Sequence, residues 1–393
     1  MSNSSTLIEE SVHIDCEILF SEIYHVAPTI KVQSPGRINL IGEHIDYYGG
    51  YVMPAAIDRY IVICLGPADQ SDSKVYSGTF DEQIIIPANG TIDPGNHHWK
   101  KYIIKVLEIL LESGYKSRPF NVALTSTIPV GAGLSSSAAL LCGFVSALAE
   151  YNGWLISLEK IALIAQTTEH RLGTPCGLMD QYASLMGKKD SFLLIDFDGL
   201  KIKEIKVDLK EYVLRLINTK VHHELTDGGY ARRRREGESA LESLKSFYSK
   251  SGSYREFSID ELNAMPPFDQ TEFKRARHAI SEHQRVIQFA EAVAQGDFLF
   301  AGELMYATHE SLKHDYAVSC EEADFIVEEA VKSGVAGARI MGGGFGGCVL
   351  CLMDYSVEAA FKEVLVPAYE KKFGLTPEFI DVNLGERVVT SLA

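Results

Sequence analysis

The sequence predicts an α+β fold in two domains. Three observations lead there. Short β-rich runs and amphipathic helical stretches follow one another through the first half of the chain. Residues 231–332 then read as mostly helical, and strands return only near the end. Helices and strands segregated in this way belong to the α+β class. At 393 residues the chain exceeds the usual size of one domain. A boundary is expected near residue 205, giving an N-terminal domain over 1–205 and a C-terminal domain over 206–393.

Each element has its own signal. Thr29–Val32 and Tyr60–Leu65 are short β-rich runs bounded by turns and read as strands. Trp99–Leu111 carries Tyr102, Ile103, Val106 and Leu110 at helical spacing. Phe120–Thr125 reads as a strand feeding a glycine-serine loop. Helices are expected at Ser137–Tyr151 and Leu158–Arg171, and a strand at Ser191–Phe197 ending in the polar turn Asp196-Phe197-Asp198-Gly199. The second half opens with strands at Ile202–Val207 and Val213–Asn218. It closes with strands at Ala338–Ile340 and Cys348–Met353, a helix at Val357–Phe373 and a last strand.

The loop Gly131-Ala132-Gly133-Leu134-Ser135-Ser136-Ser137 runs straight into the apolar helix that begins Ala138-Ala139. Small residues permit a tight turn with exposed N–H groups, and a helix start adds unpaired donors and a positive dipole end. Together they trap an anion, here a phosphate chain. No lysine follows the glycines, so backbone, hydroxyls and Mg2+ must meet the phosphate charge. The competing reading is a flexible turn capped by serine.

Four further regions carry chemistry-bearing residues. In Ser34-Pro35-Gly36-Arg37 a strand is expected to enter a Pro-Gly turn, after which Glu43, His44 and Asp46 offer donors and acceptors suited to sugar hydroxyls. Glu169 ends a helix and Asp180 opens the next, with the loop Gly173-Thr174-Pro175-Cys176-Gly177 between them. Such a pair can divide into a metal ligand and a group facing a substrate proton; a solvated helix end and an N-cap are the bland alternatives. Residues 221–235 join His222, His223 and Glu224 to Tyr230 and to four successive arginines, Arg232 to Arg235. Those arginines point around more than half a helix and have Glu236 and Glu238 beside them, so a solvated, ion-paired helix is expected. The run Gly342-Gly343-Gly344-Phe345-Gly346-Gly347 lies between two apolar strands and reads as a structured turn.

Composition excludes several classes. The net charge of −16 argues against general nucleic-acid binding. No apolar run approaches a membrane span, and the first residues lack a basic stretch followed by an apolar one. Seven scattered cysteines suit reduced thiols and a cytoplasmic setting. Cys348-x-x-Cys351 sits in an apolar run without a second ligand pair, so it reads as small core residues of a strand. Nothing points to an obligate protein partner.

In this order, Gly36-Arg37-Ile38-Asn39-Leu40-Ile41-Gly42-Glu43-His44 with Asp46-Tyr47, then Gly131–Ala139, then Gly337–Gly347 resemble the three motifs of the GHMP small-molecule kinases, most closely the galactokinase branch. The resemblance spans nearly the whole chain. It implies the two-domain GHMP kinase fold with the active site in the cleft between domains. It implies transfer of the ATP γ-phosphoryl group to the anomeric hydroxyl of a galactose-like monosaccharide. By the same resemblance, Asp180 matches the general base and Arg37 the cation beside it. Ser137 and Glu169 match Mg2+ ligands, and Glu43, His44, Ile45, Asp46, Gly177 and Tyr230 match sugar-contacting positions. Gly131 to Ser137 match the ATP loop. Phosphoryl transfer of this kind rests largely on positioning and charge neutralisation.

The chain departs from the galactokinase pattern at Ile45, Tyr48 and Met341, where Thr, Asn and Thr are usual. Its Glu169-to-Asp180 spacing of eleven is one shorter than is usual there. N-acetylgalactosamine kinase is similar in Ile45 and in that spacing. A 1-kinase for N-acetylgalactosamine, arabinose or galacturonate is therefore an alternative, as is a galactokinase-like sugar sensor without turnover.

Overall fold

The computed structural model describes residues 15–88, 98–222 and 228–393. His223 and Glu224 lie outside them. In chain order the first elements are α1 (Cys16–Tyr24), β1 (Ile30–Asn39), a short 3-10 turn (Asp46–Tyr48), β2 (Tyr51–Val52), β3 (Pro54–Pro67), β4 (Ser73–Ser77), β5 (Glu82–Ile86) and α2 (His98–Glu112). Next come β6 (Phe120–Ser126), α3 (Ser136–Asn152), α4 (Leu158–Arg171), α5 (Met179–Met186), β7 (Ser191–Asp196), β8 (Lys201–Lys206) and β9 (Tyr212–His222). The helical stretch is α6 (Gly229–Tyr248), α7 (Ile259–Ala264), α8 (Gln270–Gln295), α9 (Phe298–Ser311) and α10 (Glu321–Lys332). The chain closes with β10 (Gly337–Ile340), β11 (Gly346–Asp354), α11 (Tyr355–Phe373), β12 (Glu378–Val382) and β13 (Val389–Leu392).

Three sheets organise these elements. The first has the order β13-β1-β3-β6-β4-β5, the second β10-β11-β9-β12, and the third is the small β2-β7-β8. Helix α3 is buried around most of its circumference, as its run of alanine, leucine and phenylalanine requires. It packs on β1 and β3 on one side and against α2 and α4 on the other. On the opposite face, α1 seats Cys16, Leu19 and Phe20 against Cys64 and Ala123. One contiguous core otherwise runs through both halves of the chain. All seven cysteines are free thiols, and Cys348 and Cys351 are buried in β11, as expected.

Three differences from the sequence-based expectation matter for the site. First, Pro35-Gly36 is no turn. β1 runs through it, and its register with β3 shifts between Pro35 and Arg37, which marks a bulge that re-aims the strand. A Cβ at Gly36 would come within 2.8 Å of the Leu134 carbonyl, so glycine lets β1 pass directly beneath the glycine-serine loop. Second, β13 pairs with β1, so residues 389–392 return to the first sheet after the second-half elements. Third, α1, β2, β4 and β5 have no counterpart in the expectation, because they are short runs with weak periodicity.

The two halves are joined by a buried ion pair. Arg339 on β10 is fully buried. Its Nε donates to the Leu40 carbonyl at 2.7 Å, Nη1 to the Ile340 carbonyl at 2.9 Å, and Nη2 to Glu43 Oε1 at 3.0 Å and to the Asn39 carbonyl. Glu43 Oε1 also accepts the Gly342 N–H at 2.7 Å. The glycine run is thereby fixed to the end of β1. Arg339→Leu leaves Glu43 buried without its cation and is expected to cost about 3–5 kcal/mol in urea unfolding. A cost below about 1 kcal/mol would show that the pair does not join the halves.

Candidate active site

A cavity of about 350 Å3 opens where the two halves meet. Its wall includes Arg37, Glu43, His44, Asp46, the loop from Gly131 to Ser137, Glu169, Gly177, Asp180 and Tyr230. The structure thus gathers residues 306 positions apart in sequence, from Arg37 to Gly343, around one space. Ile45 is the exception. It is buried among core side chains and does not line the cavity, because the apolar residue between His44 and Asp46 turns away from them. Of the residues expected to contact the sugar, Ile45 is thus the one whose side chain the structure places in the core.

Arg37 lies at the centre. Its Nε donates to Asp180 Oδ1 at 2.8 Å and Nη2 to Oδ2 at 3.2 Å, a bidentate pair. Its Nη1 donates to the Gly133 carbonyl at 2.7 Å. One guanidinium therefore joins the start of α5 to the glycine-serine loop. Ser135 adds a second link, its hydroxyl donating to Asp180 Oδ2. Asp180 sits inside the first turn of α5, whose cap is Leu178, so the N-cap alternative does not hold.

Gly131, Gly133 and Ser135 all have positive φ, which opens the loop and delivers it to α3. Ser135 is the cap residue of α3 but makes no side-chain cap bond. The first turn of α3 therefore has no side-chain acceptor from its cap, and Ser136 and Ser137 of that turn line the cavity, which suits a phosphate.

Ser137 donates to Glu169 Oε1 at 2.6 Å. Glu169 Oε2 accepts from Gln181 Nε2 at 2.5 Å and from the Cys176 thiol at 3.2 Å. Glu169 is buried, not a solvated helix end, and burial pushes its carboxyl up to about 7. Of the four carboxyl groups that line the cavity, Asp180 is paired with Arg37 and Glu43 with Arg339, which leaves Asp46 and Glu169 without a cation among the described residues. A polyphosphate would meet net repulsion there unless a divalent cation came with it. Two hard oxygen donors fit Mg2+, which keeps several waters and takes its remaining ligands from substrate phosphates. Among the described residues no group of three or more His, Cys, Asp or Glu could hold a metal ion unaided.

The opposite wall is polar and aromatic. Asp46 presses against the loop so closely that a Cβ at Gly177 would lie 1.6 Å from its Oδ2. Burial, and then the charge of Asp180, push the Asp46 carboxyl up to about 6. His44 has positive φ, and burial pushes its imidazole down to about 3, so the ring is neutral. Its ring lies 5.2 Å from that of Tyr230 and 4.6 Å from that of Tyr316. Glu43 reaches the cavity with one oxygen committed to Arg339 and Gly342.

Supporting residues hold this wall, and several were not anticipated from sequence. His278 meets the Glu43 carbonyl at 3.0 Å and Ser311 at 2.9 Å. The Ile340 N–H donates to His309 Nδ1 at 3.2 Å, and the other nitrogen of that ring meets Asp324 at 3.2 Å. The arginine run is ion-paired as expected, with Glu236 and Glu238, but it is not all solvated. Arg234 donates to the Pro175 carbonyl at 3.0 Å and lies over the Tyr47 ring. The signal was present: Arg234 is four residues beyond Tyr230 and so shares its helix face. Tyr316 and Arg339 gave no local signal.

Comparison with known proteins agrees with this geometry. Residues 18–67 match the galactokinase galactose-binding signature, 101–188 the GHMP kinases N terminal domain and 289–368 the GHMP kinases C terminal family. The chain is 36% identical over 363 residues to a galactokinase of Thermotoga maritima, covering 91% of this chain and 99% of that one. It is 37% identical over 361 residues to a galactokinase of Thermosipho africanus, with 91% and 99% covered. The crystal structure of Lactococcus lactis galactokinase complexed with galactose superposes with a TM-score of 0.89 at 31% identity, over 95% of this chain and 98% of that one. Methanococcus jannaschii mevalonate kinase, at 18% identity and a TM-score of 0.67 over 91% and 99%, shares the fold. The chain belongs to the GHMP kinases, in their galactokinase family.

Proposed function

We propose that this kinase transfers the γ-phosphoryl group of ATP to the anomeric hydroxyl of D-galactose, giving galactose 1-phosphate and ADP. The Arg37 fork carries the proposal. It holds Asp180 between the polar wall of Asp46 and His44 and the glycine-serine loop. A sugar on that wall presents a hydroxyl to Asp180, and a nucleotide on the loop presents its terminal phosphate to the same point.

Asp180 accepts the proton of the attacking hydroxyl, while Arg37 holds the carboxylate in place and faces the transferring group. The N–H groups of the loop and of the start of α3 bind phosphate oxygens. Ser137 and Glu169 would hold Mg2+, which would supply the positive charge that the carboxylate-rich cavity lacks. Asp46, His44, Glu43, Gly177 and Tyr230 shape the sugar side, and Glu43 gives it only the oxygen left free by Arg339. A cytoplasmic setting fits the seven free thiols, and no helix among the described residues is long and apolar enough to cross a membrane.

The test is ADP release across a sugar panel of galactose, N-acetylgalactosamine, arabinose and galacturonate. Galactose should give the highest kcat/KM, and Asp180→Ala should abolish turnover while ATP still binds. A higher kcat/KM for N-acetylgalactosamine would overturn the choice of sugar. No turnover with any hexose would leave a sensor.

Asp46 also sets a pH dependence. Its raised carboxyl accepts from two sugar hydroxyls, and most strongly, only when ionised, so kcat/KM for galactose should fall as pH drops below about 6. Asp46→Asn should be less active and should lose the part of the acid limb centred near pH 6. The same acid limb persisting in Asp46→Asn would assign it elsewhere.

A further inference from the structure

Behind the polar wall runs a chain of hydroxyls that no step above uses. His44 Nδ1 lies 2.8 Å from the Tyr47 hydroxyl. Tyr47 lies 2.9 Å from the Tyr316 hydroxyl, and Tyr316 lies 3.0 Å from the Tyr48 hydroxyl. Tyr48 ends the chain on the Arg234 carbonyl at 2.9 Å. Tyr48 and Tyr316 are buried, and burial holds all three phenols above their ordinary range, so each keeps its proton.

The direction of this chain follows by counting protons. A carbonyl only accepts, so Tyr48 donates to Arg234. The Tyr48 oxygen is then the acceptor from Tyr316, and the Tyr316 oxygen the acceptor from Tyr47. The three hydroxyl protons are now spent on three bonds. The fourth bond, between Tyr47 and His44, forms only if Nδ1 carries a proton. The neutral ring then has a bare Nε2. That Nε2 is buried and has no partner, and His44 lines the cavity. The Gly343 carbonyl is near enough to favour a proton on the ring, yet it closes no hydrogen bond with Nε2.

We propose that the Tyr48–Tyr316–Tyr47 chain fixes the tautomer of His44, so that Nε2, buried in the cavity wall, is left as a hydrogen-bond acceptor for the sugar. Tyr48 is a positioning residue, acting through two others on a nitrogen that meets substrate. The sugar is therefore read at this point by a hydroxyl that donates. The molecule makes room for the arrangement: a Cβ at Gly237, in the middle of α6, would lie 2.0 Å from the Tyr48 hydroxyl. Glycine at a mid-helix position weakens the helix, and here it seats the end of the chain. Galactokinases usually carry Asn at the position of Tyr48, so the device belongs to this chain's own departure from the pattern.

Removing one hydroxyl reverses the count. In Tyr48→Phe, Tyr316 donates to Tyr47 and Tyr47 to Nδ1, using both protons. The ring is then free to carry its proton on Nε2, which removes the acceptor from the site.

The inference rests on reading the cavity as a sugar site, and its test has an arm that needs no sugar. Histidine side-chain 15N shifts are measured on the full 15N-labelled chain without ligand, with His44 assigned by its loss in His44→Gln. The native chain should show a protonated Nδ1 and a bare Nε2, and Tyr48→Phe should shift His44 toward Nε2–H. In the same variant KM for galactose should rise about tenfold with kcat within about twofold. A native His44 protonated at Nε2 overturns the proposal whatever the variant does. An unchanged tautomer and KM in a folded Tyr48→Phe also overturns it. The expected tautomers with no galactose turnover would overturn the choice of sugar and leave the chain of hydroxyls standing.

Discussion

Everything at this site depends on one guanidinium serving two masters. Arg37 grips Asp180 with two nitrogens and the Gly133 carbonyl with the third. Buried at the end of a bulged strand, it has no water to fall back on, so these partners are what make its burial tolerable. The geometry has a second effect. α5 brings the sugar-side carboxylate, the loop brings the phosphate-side donors, and Arg37 sets the distance between them. Gly36 makes this possible, since β1 can lie under the loop only where there is no side chain.

The remaining constraints are arranged around that point. Arg339 and Glu43 tie the glycine run of the second half to the end of β1. His278 and His309 then hold the same two segments from the helical side. A chain of net charge −16 with two carboxyl groups in its cleft, Asp46 and Glu169, that pair with no cation among the described residues is a poor host for a polyphosphate. A loop without lysine fits the proposed arrangement, in which backbone N–H donors meet the phosphate and a divalent cation would bring the missing charge.

Much of this was legible in the sequence. α4 falls at Leu158–Arg171 as its spacing predicts, and the glycine-serine loop stands where a strand and a helix meet. Arg37, Asp46, Glu169 and Asp180 share one cavity, as residue chemistry and motif order suggested. What the sequence hid depends on contacts made across long separations. A Pro-Gly pair signals a turn unless a partner strand and an overlying loop hold it extended, and here both do. Ile45 resembles a site residue by position, yet its apolar side chain joins the core. Arg339 looks like an ordinary strand arginine until its partner, 296 positions away, is seen. The tyrosine chain draws on residues 47, 48 and 316, which no local pattern connects.

The central claim is that Arg37 holds the two reacting ends in register, a role that charge alone cannot fill. Arg37→Lys keeps the charge but cannot reach Asp180 and Gly133 together. Single-turnover phosphoryl transfer, measured beside the separate dissociation constants of ATP and galactose, tests this directly. The account predicts a loss of roughly 100-fold or more in the transfer step, with each dissociation constant within about threefold of the native value. Native-like transfer in Arg37→Lys, or a loss confined to binding, would contradict it.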